Sequence, residues 1–132
     1  MTVKHLNPPG LHNNPVFSQG IVLPANARIV LIGGQNSVND KGEVVHKGDM
    51  ARQTAQALAN MVQVLEAAGA GVEHLVKTTI IMRDDADLQA GFGEWMKVWG
   101  GRANPPLVTA MRVTALANPD FLIEIEAMAV LP

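Results

Sequence analysis

The chain has 132 residues and a mass of 14.1 kDa, which size scaling converts to about 6,700 Å² of folded surface against about 20,000 Å² unfolded. That supports one core and a single domain over residues 1–132. Hydrophobic residues make up 48% and charged ones 17%, which excludes a disordered chain. Ten basic against twelve acidic residues give a net charge of −2, which argues against a nucleic-acid surface built on bulk charge. No uninterrupted apolar stretch approaches the roughly 20 residues of a membrane span. Met1-Thr2-Val3-Lys4-His5 lacks an apolar signal core, so no membrane partner and a cytoplasmic location are expected.

The first two dozen residues read as an irregular arm, with turn material at Pro8-Pro9-Gly10 and Asn13-Asn14-Pro15 and a short extended piece over Val16–Val22. Arg28–Ile32 is a β-branched run that stops at Gly33-Gly34 and predicts a strand. Asn39-Asp40-Lys41-Gly42 is a hairpin signal, with Glu43–His46 as its return. Asp49 then predicts an N-cap, Leu58, Val62 and Leu65 fall at helical spacing, and Gly69 closes the helix. Leu75–Met82 predicts a strand. A second helix starts at Asp84-Asp85, carries Leu88, Phe92, Trp95 and Trp99, and ends at Gly100-Gly101. Leu107–Leu116 and Phe121–Leu131 are the last two strands, joined by a turn at Asn118-Pro119-Asp120.

The order β-β-α-β-α-β-β predicts an α+β fold, a mainly antiparallel sheet with both helices packed on one face. Nothing in the chain would cover the other face, which carries Ile, Val, Thr and Met. An uncovered apolar face marks an interface, so an oligomer is expected.

Absences restrict the chemistry. Without Cys there is no thiol nucleophile or thiolate metal site, and without Tyr no phenolic acid. His5, His12, His46 and His74 share no metal-ligand spacing, so no metal site is expected. Glu124 and Glu126 lie on one face of the last strand by period-two alternation. A carboxylate there serves general acid–base chemistry or simply a solvated, ion-paired strand face. Gly33-Gly34-Gln35 ends a strand, as an oxyanion-binding turn or a plain one. Arg112 interrupts an apolar strand, as a cross-strand or intersubunit ion pair or as a carboxylate clamp.

Five segments occur in a telling order: Phe17-Ser18-Gln19-Gly20-Ile21, Gly33-Gly34-Gln35, Gln53-Thr54 with Leu58, Asn60, Leu65 and Gly69, Lys77-Thr78-Thr79, and Ile123-Glu124-Ile125-Glu126-Ala127-Met128-Ala129. Together they resemble the reactive intermediate deaminase (Rid, formerly YjgF) family, some of whose members were named liver perchloric-acid-soluble endoribonucleases. The resemblance spans almost the entire chain. It implies a chorismate-mutase-like protomer and a homotrimer with pockets at the subunit boundaries. Deaminating members hydrolyse enamine or imine acids to a 2-oxo acid and ammonia without a cofactor.

Carried over residue by residue, the resemblance makes Glu124 the carboxylate that orients the hydrolytic water. It places Phe17, Gly33, Gly34, Gln35, Phe92, Val108, Ala110 and Arg112 around the substrate. The family's carboxylate-clamping Arg follows a Pro. Counting from Pro106 puts Val108 there, and counting back from the last strand puts Thr109 there. Neither pairs with a carboxylate. The expected function is therefore binding of small carbonyl or carboxylate metabolites, with weak or altered imine hydrolysis. The rival readings are a full 2-iminoacid deaminase, an endoribonuclease and a non-enzymatic interaction protein.

Overall fold

The computed structural model describes residues 2–132. The arm is a small antiparallel hairpin of β1 (Lys4–Leu6) and β2 (Gly20–Val22), with Lys4 opposite Val22. The main sheet comprises β3 (Ile29–Gln35), β4 (Leu75–Arg83), β5 (Leu107–Val113) and β6 (Ile123–Val130), in the order β3-β6-β4-β5. β3 and β5 are its two edges. Of its three junctions two are antiparallel, β6 against β3 and against β4, and one is parallel, β4 beside β5. A parallel neighbour needs a crossover, and α2 (Leu88–Trp99) supplies it.

α1 (Met50–Ala67) begins where the sequence places it. The Asp49 side chain accepts from the Arg52 amide at 3.0 Å, and Gly69 follows the last turn at φ +79°. Its Leu58, Met61 and Leu65 are fully buried, each worth about 1.5–3 kcal/mol of transfer from water. They pack with Ile123, Ile125, Ala127 and Ala129, alternate residues of β6. Gln53 is buried without cost because every bond is made. Its Nε2 donates to the Asp120 carbonyl at 2.9 Å, and its Oε1 accepts from the Leu122 amide at 2.9 Å.

Four expectations need correction. β3 does not stop at Gly33-Gly34 but continues to Gln35 through a bulge between Ile32 and Gln35, which glycine accommodates. The return at Glu43–His46 shrinks to one bridge, Val38 to Val44. α2 starts at Leu88, capped by Asp87, because Asp85 is held by Arg83 in a two-pronged pair at 2.6 and 3.1 Å and cannot cap. β5 ends at Val113 rather than Leu116.

The sheet face away from the helices is open. Leu31 is 73% exposed there, on the face shared with Ile29, Lys77, Thr79, Glu126 and Met128. The protomer exposes 7413 Å², about a tenth more than the roughly 6,700 Å² scaling gives. No helix among the described residues is long and apolar enough to cross a membrane.

The arm is latched to the entrance of β5. Ser18 donates its amide to the Pro106 carbonyl at 3.2 Å and its hydroxyl to the Pro105 carbonyl at 2.6 Å. That spends the only hydroxyl proton, so His5 Nδ1, 2.8 Å from Ser18 Oγ, is the donor in that contact. The pair is a latch and no base–nucleophile couple. Burial lowers the His5 pKa below 6.5, opposed by the Pro105 carbonyl. The folded protein thus prefers the neutral ring, and below pH 6.5 unfolding takes up a proton. His5 should stabilise fully above that pH and progressively less as acid is added. Melting curves from pH 7.5 to about 5 should fall more steeply for wild type than for His5→Asn, which cannot titrate. Parallel curves would remove His5 from the account.

Candidate functional site

The expected site residues form two groups on opposite faces of the sheet. The first surrounds Glu124 where β6 meets the end of β3. Asn36 Nδ2 donates to Glu124 Oε1 at 3.2 Å and to the Ile123 carbonyl at 3.0 Å. Asn36 is itself held, since Asn60 Nδ2 on α1 donates to the Asn36 and Val38 carbonyls at 3.1 and 2.9 Å. Gln56 completes the chain by donating to Asn60 Oδ1 at 2.9 Å. The carboxylate is therefore aimed from the helix layer through three amide side chains. Gly34 lies against it so closely that a Cβ would fall 2.7 Å from Glu124 Cδ. Only glycine leaves room for the carboxylate in this position. Gln35 turns back on its own strand, with Nε2 donating to the Gly33 carbonyl at 3.1 Å.

The second group lines a cavity of about 130 Å³ between α2, α1 and the sheet. Phe17, Phe92, Val108 and Ala110 are all in its wall. Sequence reasoning missed Trp95, Met50, Met82 and Gly91, which also line it. Trp95 stacks on Trp99 at a centroid distance of 5.7 Å, and this pairing on one helix reads as core packing from sequence. Two hydroxyls reach the wall, and both are occupied. Thr54 donates to the Met50 carbonyl at 2.8 Å and Thr78 to the Leu107 carbonyl at 3.4 Å.

The two positions to which counting assigns an Arg lie on different faces of the sheet. Val108 lines the cavity, whereas Thr109 is paired with Thr79 and belongs to the open face. Arg112 shares the face of Val108 and Ala110 and pairs with Met82, but is not in the cavity wall. Its guanidinium donates to the Asp84 and Ala86 carbonyls at 3.0 and 3.2 Å, pinning the loop before α2. Arg102 is likewise spent on the end of α2, donating to the Val98 carbonyl at 3.2 Å. A single pocket holding all the expected residues does not exist within one protomer. Ile123 and Ile125 wall the cavity, and alternation sends Glu124 to the other side. Among the described residues no group of three or more His, Asp or Glu side chains is placed to hold a metal ion.

The profile of the endoribonuclease L-PSP family matches residues 12–131. A RutC family protein of Pyrococcus horikoshii is 40% identical over 101 residues, covering 76% of this chain and 77% of its own. The human 2-iminobutanoate/2-iminopropanoate deaminase is 32% identical over 114 residues, covering 86% of this chain and 79% of that protein. Among solved structures, a Rid-family protein of unknown function from Yersinia pestis superposes with a TM-score of 0.85 at 31% identity, covering 99% of this chain and 100% of that one. Escherichia coli TdcF, crystallised with bound serine, gives 0.71 at 26% identity, covering 83% and 85%. The profile over nearly the whole chain, the identities and the shared two-helix, α+β architecture agree: this chain belongs to the Rid (YjgF, endoribonuclease L-PSP) family.

Proposed function

We propose that the protein works as a homotrimer that binds small carbonyl or carboxylate metabolites in pockets at its subunit boundaries, with weak or altered imine hydrolysis and no cofactor. The observation that carries this reading is the sheet order. The Glu124 group lies beside the β3 edge and the cavity beside the β5 edge. A head-to-tail ring sets one edge of a protomer against the opposite edge of the next. Such a ring would unite the two groups and cover Leu31, Ile29 and Met111, all exposed in the protomer.

In the reaction, a water held by Glu124 adds to the carbon of a C=N⁺ group and gives up a proton to the carboxylate. Glu124 returns that proton to the nitrogen of the adduct, the C–N bond breaks to release ammonia, and the ammonia takes the remaining hydroxyl proton as the carbonyl forms. Gly34 and Gln35 would hold a substrate oxygen. The names of the human and Escherichia coli relatives, 2-iminobutanoate/2-iminopropanoate deaminases, support this chemistry. Val108 in place of a cation supports the weakness towards imino acids. A ribonuclease would need a basic surface that a net charge of −2 does not favour.

Coupling the protein to an amino-acid oxidase that releases imines tests the reading. Ammonia should appear only modestly faster than in spontaneous hydrolysis. Light scattering should give three times 14.1 kDa, held by an interface of about 2,000 Å² or more. A stable monomer at micromolar concentration would sink both the ring and its pockets.

A further inference from the structure

We propose that the cavity beneath α2 receives a neutral hydrocarbon group of about one ring in size, so that the preferred substrates are uncharged carbonyl or imine compounds and not carboxylates. This deepens the reading above and rests on it for the chemistry performed at the cavity mouth. The binding step stands on the cavity itself.

Its lining is almost wholly apolar, the polar side-chain atoms being the Thr54 and Thr78 hydroxyls and the Trp95 indole N–H, and both hydroxyls are already donated to backbone carbonyls. No cationic side chain is in the wall to pair with an anion, and the one indole N–H, that of Trp95, carries no charge to neutralise it. The nearby guanidinium of Arg112 is outside the lining, with its Nη1 turned to two carbonyls of the loop before α2. A carboxylate entering here would lose its hydration and gain no partner, which is among the costliest exchanges in a protein interior. A hydrocarbon loses nothing. Apolar cavities of about 150 Å³ stay dry and take up benzene, and this one is about 130 Å³ with an open mouth.

The wall also suits a flat ring. Phe17 comes from the arm, and Phe92 and Trp95 from successive turns of α2, giving three aromatic surfaces on two independent elements. Met50 and Met82 are the adaptable side chains that fit an irregular guest. Small residues keep the space open. A Cβ at Gly91 would sit 3.0 Å from Met50 Cε and 3.3 Å from Thr54 Oγ1, and Ala110 leaves the β5 side unfilled. Phe92 is 42% exposed and Leu88 44%, so the entrance itself is apolar. Protein interiors seldom keep voids of this size, which a guest would explain.

Toluene and benzoate share a ring and differ in one substituent, so titrating each into wild type while following tryptophan emission and melting temperature isolates the charge. Toluene should bind about 100-fold more tightly than benzoate or better, raising the melting temperature as its concentration passes the Kd. Ala110→Leu should weaken toluene at least about tenfold, because the new side chain occupies the space. Circular dichroism should show the fold unchanged, and the wild-type comparison decides even if this variant fails to fold. Benzoate binding as tightly as toluene would overturn the inference and leave the metabolite-binding reading standing. Toluene binding that is unchanged in a folded Ala110→Leu would also overturn it, by placing the guest elsewhere. The oxidase-coupled assay, run without toluene or benzoate, judges the reaction separately. Its failure would remove the hydrolysis and leave the toluene result intact.

Discussion

Glu124→Gln should lower imine hydrolysis about 10²–10⁴-fold, the range lost when a positioned general base is removed, while leaving the melting temperature and the assembly unchanged. The fold is spared because the amide matches the carboxylate in size. It still fits against Gly34, and its oxygen can accept from Asn36 Nδ2 as Glu124 Oε1 does at 3.2 Å. Only the proton acceptor disappears. Because the native activity is expected to be weak, the measurement needs single imines supplied at known rates, with spontaneous decay subtracted. Asn36→Ala serves as the companion variant. It leaves the carboxylate in place but releases it from the chain of Asn36, Asn60 and Gln56, so activity should fall by less than in Glu124→Gln. If turnover survives in Glu124→Gln, the residue is a solvated strand carboxylate and the water must be activated elsewhere.

What could be read from the sequence was whatever local rules control. α1 was legible from end to end because its cap, its apolar spacing and its terminal glycine are all local signals. The start of α2 was not, because two aspartates precede the true cap and an Arg two residues away claims one of them. β1 and β2 escaped notice as strands since each is only three residues long and they pair across a wide loop.

The candidate site divides in the same way. Alternation correctly put Glu124 and Glu126 on one face and Ile123 and Ile125 on the other. The resemblance nevertheless gathered Glu124 and Val108 around one substrate, and the same alternation separates them by the thickness of the sheet within a protomer. Asn36 lies 88 positions from Glu124. Nothing near it in sequence marks it as the partner that aims the carboxylate. Trp95 reads as core filler because its spacing to Trp99 is that of a buried helix face. Trp99 is indeed 3% exposed, while Trp95 walls a cavity that no local pattern announces.

Val108→Arg should convert the ligand preference of the cavity. Val108 lines the cavity with Phe17, Phe92 and Ala110 in the same wall, and a guanidinium placed there is expected to meet an entering carboxylate. A bidentate, charge-assisted pair is worth roughly 1.5–3 kcal/mol, or about ten- to 150-fold in affinity. Pyruvate and benzoate should therefore bind more tightly to the variant by that factor, and toluene should be expelled. Without ligand the new charge has no anionic partner in a wall made of hydrocarbon. Its aliphatic stem can lie along that wall and carry the head towards the mouth, where Ala110 and Phe92 are exposed. The expected consequence is a folded protein with a lowered melting temperature that recovers when pyruvate is added. Calorimetric titration of wild type and variant with pyruvate, benzoate and toluene measures all of this at once. Wild type that already binds pyruvate as tightly as the variant would mean that a cation outside this cavity holds the carboxylate and that Val108 does not set the ligand preference.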